Sequence, residues 1–374
     1  MIRFLFALLS LAPLQVAPTA AAAQAAPGWA APAATTPFAR LVAQLSEPGA
    51  YFDTDNLISN ENSYLHAVGE LQRRGVRGGA YIGVGPDQSF SYIAAIRPAV
   101  AFIVDIRRDN LLQHLLLRAL FVRAPTRLEF LALLHGRAPP ATPGSWTGRG
   151  IDDLVRYIDA RAADSARVRR ARREIAATIA TFGVPLTAED RATIERFHGE
   201  FIREGLGLRF QTHGRPAQPY SPTYRRLLQE RDLAGRQVSF LASEASYRFL
   251  RDLQRRGGVV PVVGDLGGDH ALRAIGDNLR ARRLSVSAFY TSNVEFYLAQ
   301  GGTLGRFADN VRALPRDPRG VVIRSYFPGR FGPHPLARDG YHSTQLVQSF
   351  SEFLAAFADG RVPDYGDLVM GDVR

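Results

Sequence analysis

The stretch that decides the fold is Gly78–Arg108, GGAYIGVGPDQSFSYIAAIRPAVAFIVDIRR. Ala80–Val84 reads as a strand, and the turn GVGPDQ that follows holds Gly83 and Gly85. Phe90–Ile96 has helical spacing and Pro98 stops it, because proline cannot continue a helix. Ala101–Ile106 is apolar but for Asp105, as expected of a strand covered on both faces. This order of strand, glycine turn, helix, strand and acid opens a nucleotide-binding α/β fold. Glycines let a ligand approach the backbone, helix-start amides can face an anion or carboxylate, and the acid can hold a ribose. Asp105 lies 22 positions after Gly83, near the roughly 20 expected for that acid.

Further along the chain, strands at Val259–Gly264, Ser285–Tyr290 and Gly320–Tyr326 alternate with helices at about Ser243–Arg256 and His270–Arg282. That alternation predicts a doubly wound, mostly parallel sheet. A Pro/Gly-rich break at Arg137–Arg149 introduces an arginine-dense helical stretch, so an α-helical insertion is expected at about 137–237. Upstream, Ser59 and Asn60 can cap a helix that begins near Glu61, buries Tyr64, Leu65, Val68 and Leu71, and ends at Gly75. The expected organisation is a signal peptide over 1–23, an Ala/Pro-rich lead-in with a short helix over 24–50, and one α/β domain over 51–374.

The signal peptide rests on a basic start with Arg3, an apolar run from Leu5 to about Val16, and small residues over Ala20–Ala26. Cleavage after Ala23 or Ala26 fits, and the expected location is periplasmic or secreted. The apolar run is too short for a good membrane span. The chain has no cysteine, which excludes disulfides, thiolate metal sites and cysteine nucleophiles. All 46 Lys-plus-Arg positions are arginine, which excludes Schiff-base lysines and Walker-type phosphate loops. No G-x-S-x-G elbow, H-E-x-x-H or S-x-x-K occurs. The net charge of +11 suits an anionic partner or simple solubility. The arginines of Arg161–Arg173 lack interleaved aromatics and read as a solvated helix face paired with Asp159, Asp164 and Glu174, so nucleic-acid binding is not favoured. His334, Asp339 and His342 are metal-ligand types, but their spacing matches no helix face or familiar motif, and no metal is expected.

With these residues in view, the Gly78–Arg108 unit and the later strand–helix–strand segment resemble the core of class I S-adenosylmethionine-dependent methyltransferases. FDTDNLISNE and GAYIGVGPDQSFSYIAAIRP resemble an uncharacterised bacterial group of methyltransferase-like proteins. The resemblance implies a seven-stranded sheet, with Gly83 and Gly85 lining the methionine end of the cofactor and Asp105 binding its ribose. The chain departs from that pattern at Tyr81, where the family usually carries an acid, and at Asp87, where a third glycine is common. Asp87 is the candidate replacement for that acid, with Gln88 beside it in the turn.

A second edge is formed by VVPVVGDLGGDH and AFYTSNVEFYL, both at strand ends that should meet at the carboxyl edge of the sheet. Asp265 and Glu295 are candidate acid–base groups, with Tyr290, Ser292 and Asn293 supplying hydrogen bonds and Arg107 available for an anion. Turn and cap roles explain several of the same residues equally well. By resemblance, Asp53, Asp55, Asn56, Asn60 and Glu61 should fold over the pocket mouth. Three functions stay open: an adenosyl-binding methyltransferase relative, a non-catalytic module whose pocket is plugged by Tyr81, Asp87 or Gln88, and an envelope enzyme using Asp265 and Glu295 on an anionic or carbohydrate ligand. Oligomeric state has no signal in the sequence.

Overall fold

A computed structural model describes residues 34–328 and 332–370 of the chain. The proposed signal peptide lies outside the described residues. Six strands form one sheet: β1 (Ala80–Gly83), β2 (Val100–Asp105), β3 (Val259–Val263), β4 (Val286–Ser292), β5 (Arg316–Tyr326) and β6 (Thr344–Ser349), in spatial order 3-2-1-4-5-6. β1 to β5 are parallel and β6 runs antiparallel to β5. The chain winds outward in both directions from the β1–β4 contact, which places a topological switch point there. Six strands, rather than seven, are present among the described residues.

The helices are α1 (Pro37–Leu45), α2 (Ala67–Arg73), α3 (Gln88–Ile96), α4 (Arg108–Arg123), α5 (Arg127–Leu134), α6 (Ile151–Asp159), α7 (Ser165–Ala180), α8 (Ala188–Glu204), α9 (Tyr224–Gln229), α10 (Glu244–Arg255), α11 (Ala271–Ala281), α12 (Val294–Gln300), α13 (Leu304–Ala313), α14 (Phe350–Ala355) and α15 (Tyr365–Met370). α3, α4 and α10 pack together, while α1, α11 and α13 form a second group with α1 against β3. β1 to β3 are therefore buried along almost their whole length, which is why their sequences are unbroken apolar runs.

Local chemistry explains the boundaries. Arg97 precedes Pro98 and ends α3 in a left-handed conformation, φ 54°, because proline disfavours helical geometry in the residue before it. Pro261 interrupts the hydrogen-bonding potential of β3, and β3 is the sheet's edge strand, where that loss is tolerated. The first core helix starts later than its sequence implies: Tyr64–His66 is a 3-10 turn, and the Ser59 hydroxyl caps the Glu61 amide at 3.0 Å in the loop before it. The lead-in helix is an integral part of the fold. Val42 and Leu45 of α1 join the main core, and the Glu47 amide donates to Val263 O at 3.0 Å.

The helical insertion is built from α6 to α9, with α7 and α8 packed on α4. Of the three acidic partners expected for the Arg161–Arg173 face, Glu174 alone pairs with one of its arginines among the described contacts. Arg170 meets Glu174 at 2.8 Å, whereas Asp159 pairs with Arg225 of α9 and Asp164 caps α7 through the Arg167 amide at 2.6 Å. β6 has no sequence counterpart in the strand assignment, because TQLVQS alternates polar and apolar residues and carries its polar groups inward. Gln345 is buried and bonded to Ser325 of β5 at 2.7 Å.

Candidate functional site

The ends of β1, β2, β3 and β4 surround a cavity of about 360 Å³ at the carboxyl edge of the sheet. Gly85 and Gln88 come from the turn after β1, Asp105 and Arg107 from the end of β2, Asp265 from beyond β3, and Ser292 and Asn293 from the end of β4. Phe52, Thr54, Asn56, Asn60 and Glu61 close it from the N-terminal loop, so the expected fold-over of that loop is present. Asp53 and Asp55 stand farther out, facing Arg215 at 3.3 Å and Arg196 respectively.

Gly85 holds φ +76°, a conformation L side chains rarely adopt, and a Cβ there would sit 3.0 Å from the Gln88 amide nitrogen. Its carbonyl is pinned by α4: Asn110 Nδ2 donates at 3.0 Å and His114 Nε2 at 2.9 Å. His114 must carry its proton on Nε2, since a carbonyl only accepts. Burial pushes its pKa down to about 4, so the ring is neutral at physiological pH.

His135 and His198 are held likewise. Burial lowers each pKa to about 4, and each ring contacts a backbone carbonyl. Their folded pKa values lie below the unfolded value of about 6.5, so the unfolded chain binds more protons in that interval. Their contribution to stability is complete above about pH 6.5 and is lost as the pH falls toward 4. The unfolding free energy is therefore expected to fall between pH 7 and pH 5, and His135→Leu should flatten that slope by about one proton. Urea titrations at a series of pH values measure it; an unchanged slope would contradict the neutral buried ring.

At the end of β2 the Asp105 carboxylate is already engaged. Arg107 donates from Nε to Oδ1 at 3.0 Å and from Nη2 to Oδ2 at 2.8 Å, and its own amide donates to Oδ1 at 3.0 Å. Arg107 Nη1 reaches Thr54 O at 2.6 Å, tying the N-terminal loop to the sheet. Each carboxylate oxygen has two lone pairs, so Oδ1 is full and Oδ2 retains one. In this arrangement Asp105 can accept a single ligand hydroxyl.

Glu61 is the most unusual group in the cavity wall. It is fully buried, and its partners are neutral: the Tyr290 hydroxyl at 2.5 Å, the Ser292 hydroxyl, and Gln345 Nε2 at 3.2 Å. Burial raises its pKa, and these hydrogen bonds only partly pull it back. Ser292 is held at φ +54°, a strained conformation for a serine, and its hydroxyl is thereby aimed at Glu61. A carboxyl group of this kind can store or accept a proton beside a bound ligand.

Four sequence candidates stand elsewhere. Gly83 does not line the cavity: residues i and i+2 share a strand face, and a Cβ at Gly83 would fall 2.5 Å from the Tyr81 hydroxyl. The glycine makes room for that ring. Asp87 turns toward the insertion, where the Tyr224 hydroxyl donates to it at 2.6 Å; burial raises its pKa to about 6. Tyr290 lies beneath the cavity floor between Glu61 and Gln88. Glu295 is buried away from the cavity in an ion pair with Arg324 of β5 at 2.9 Å. Asp265 does line the cavity, with Oδ1 accepting the Gly267 amide at 2.8 Å. Asp265 and Glu295 therefore share no cavity, and the carboxyl group that lines it beside Asp265 on the N-terminal side is Glu61. Among the described residues no three His, Asp or Glu side chains gather in a metal-binding group.

Phe210 and Gln345 have no signal as site residues in the sequence, because each arrives from a segment distant from both quoted edges, whereas Tyr297 lies within the second edge beside the residues named there. Glu61 was visible only as part of a polar cluster. Its signal was a carboxylate just before an apolar helix, which reads equally well as a cap.

These features define an α/β protein with a mostly parallel six-stranded sheet and a ligand-sized cavity at its switch point. The chain belongs to the family described as Domain of unknown function (DUF7790), matched over residues 57–142 and 187–371. The unmatched interval between them carries α6 and α7, the arginine-rich part of the insertion. No curated protein matches the chain. Among the described residues no helix is long and apolar enough to cross a membrane.

Proposed function

We propose that the cavity binds an adenosyl cation, S-adenosylmethionine first among them, and that the protein is a methyltransferase-like member of the Rossmann-like folds. The observation that carries this reading is the convergence of Gly85, Asp105, Asp265 and Ser292 from four strand ends on one open cavity. The parallel order 3-2-1-4-5 with a reversed strand beyond it supports the same reading.

Charge selects among adenosyl ligands. The one cation lining the cavity among the described residues, Arg107, is held by Asp105, while Glu61 and Asp265 add carboxyl groups with no cationic partner among the described contacts. A phosphate-bearing nucleotide finds no open positive group here. A sulfonium with an ammonium finds the Asp265 carboxylate, with the Glu61 carboxyl beside it as a hydrogen-bonding group. Gly85 and Gln88 would face the amino-acid end, Asp105 one ribose hydroxyl, and Ser292 and Asn293 the opposite wall.

Tyr81 and Asp87 make other contacts, and Gln88, which lines the cavity, donates to the Tyr290 hydroxyl at 3.3 Å and leaves a cavity of about 360 Å³, so a module plugged by these side chains receives less support. An envelope enzyme built on Asp265 and Glu295 loses the shared cavity it requires. Export of the protein is proposed from the leader sequence alone, and in that compartment the methyl donor would have to be supplied with the protein or taken up there. Thermal-shift measurements on the full chain test the ligand class. S-adenosylmethionine and S-adenosylhomocysteine should raise the melting temperature and ATP or NAD should not; stabilisation by the phosphate ligands alone would contradict the reading.

A further inference from the structure

A second cavity, about 490 Å³, opens beside the first and shares Phe52, Thr54, Asn60, Phe210 and Tyr297 with it. Its outer wall is aromatic. Tyr220 and His342 stack at 3.9 Å with 28° between their planes, and Phe52 meets Tyr297 edge-on at 5.1 Å. The exposed tyrosines of the chain collect here too. Tyr220 is 51% and Tyr297 43% exposed, and Tyr51, 76% exposed, stands beside Asp53 at the rim. Large rings left in water around one cavity mouth, rather than scattered, mark a surface that something covers.

The chemistry of the wall narrows what that is. Asp53 and Arg215 face each other at 3.3 Å, so the two charges on the wall cancel. Burial lowers the pKa of His342, which keeps that ring neutral near pH 7. The remaining polar groups, among them Asn60, Thr212 and Gln218, are amides and hydroxyls. Such a wall offers an ionic ligand no unmatched charge. A flat aromatic ligand is best held between two parallel faces, yet the near-parallel pair here, Tyr220 with His342, is already closed on itself. What stays open is the outer face of single rings flanked by neutral hydrogen-bonding groups. That combination suits a saturated ring with an apolar C–H face and polar edges.

We propose that this second cavity is a subsite for a neutral carbohydrate ring, which stacks on Tyr220 and Tyr297 and presents its hydroxyls toward the shared wall at Asn60. That the ring is the acceptor for a group carried in the first cavity rests on the adenosyl reading above; the carbohydrate site itself does not. The juxtaposition would place a sugar hydroxyl at the junction of the two cavities, on the Asn60–Glu61 side.

Ligand-observed NMR and calorimetry on the full chain test the site with neutral tetrasaccharides of glucose and of N-acetylglucosamine. Glucuronate and p-cresol serve as the anionic and flat aromatic comparisons. A neutral saccharide should bind with a dissociation constant of about 1 mM or tighter. Tyr220→Ala and Tyr297→Ala should each weaken it about fivefold, the worth of one ring contact. Leu233→Ala, at an exposed apolar residue outside the cavity, should change nothing. No saturation by either saccharide up to about 20 mM would overturn the proposal. So would binding only of glucuronate or p-cresol, or saccharide binding unaffected by Tyr220→Ala. Saccharide binding without any response to S-adenosylmethionine would keep this site and remove the adenosyl reading, and the reverse pattern would do the opposite.

Discussion

Replacing Glu295 with alanine is expected to destabilise the protein by about 3–5 kcal/mol, the cost of leaving one member of a buried ion pair behind. Glu295 and Arg324 are 1% and 2% exposed at their side chains and sit 2.9 Å apart, joining α12 to β5. Removing the carboxylate takes from the buried guanidinium, which lies over the Phe353 ring, the ion pair that links it to α12. The double variant Glu295→Leu with Arg324→Met should recover most of the loss, since it removes both charges of the pair together and fills the space with apolar side chains of similar size. Urea unfolding of the two variants beside the unsubstituted chain measures this. A loss below about 1 kcal/mol for Glu295→Ala would show that the pair is not holding these elements together. The same variant separates structure from chemistry: it should lower stability without altering ligand affinity in the folded fraction.

The second large effect is expected at Asp105. Its remaining Oδ2 lone pair is the one acceptor it has for a ribose hydroxyl, and a hydrogen bond to a charged group is worth about 1.5–3 kcal/mol. Asp105→Ala should therefore weaken adenosyl binding by about tenfold to a hundredfold. It also leaves Arg107, 6% exposed, without its carboxylate, so some loss of stability accompanies it. Arg107→Met makes the converse test. It frees one acceptor on each oxygen while the backbone amide bond stays, so Asp105 could then accept both hydroxyls of a ribose. Affinity for an adenosyl ligand should hold or rise. An affinity lost equally in Arg107→Met would mean that the ligand reads the arginine instead.

The sequence made the architecture readable where the information is local. Gly85 and Asp105 lie in one βαβ unit, and each sits at the cavity because strand, turn and helix follow in register. The α/β alternation is likewise readable from Val259 to Tyr326, since β3 and the buried central stretches of β4 and β5 are largely apolar, while the polar start of β5 at Arg316–Arg319 lies outside the expected strand. The misplacements share one physical cause. Gly83 is a glycine because the Tyr81 ring covers it, Asp87 is claimed by Tyr224 from the insertion, and Glu295 by Arg324 from a later strand. In each case the partner that decides the role is set by tertiary packing, and no spacing rule along the chain reveals it. Glu61 shows the same effect from the other side. Residues of β4 and β6 close over its loop, and its character as a proton-holding group exists only once they do.

The measurement closest to the central claim is a calorimetric titration of the purified chain with S-adenosylmethionine, run in parallel on Asp105→Ala. The expected result is one site per chain, saturable below millimolar ligand, weakened about tenfold or more by the substitution, and insensitive to ATP competition. No heat at millimolar ligand, or equal affinity in both proteins, would contradict it.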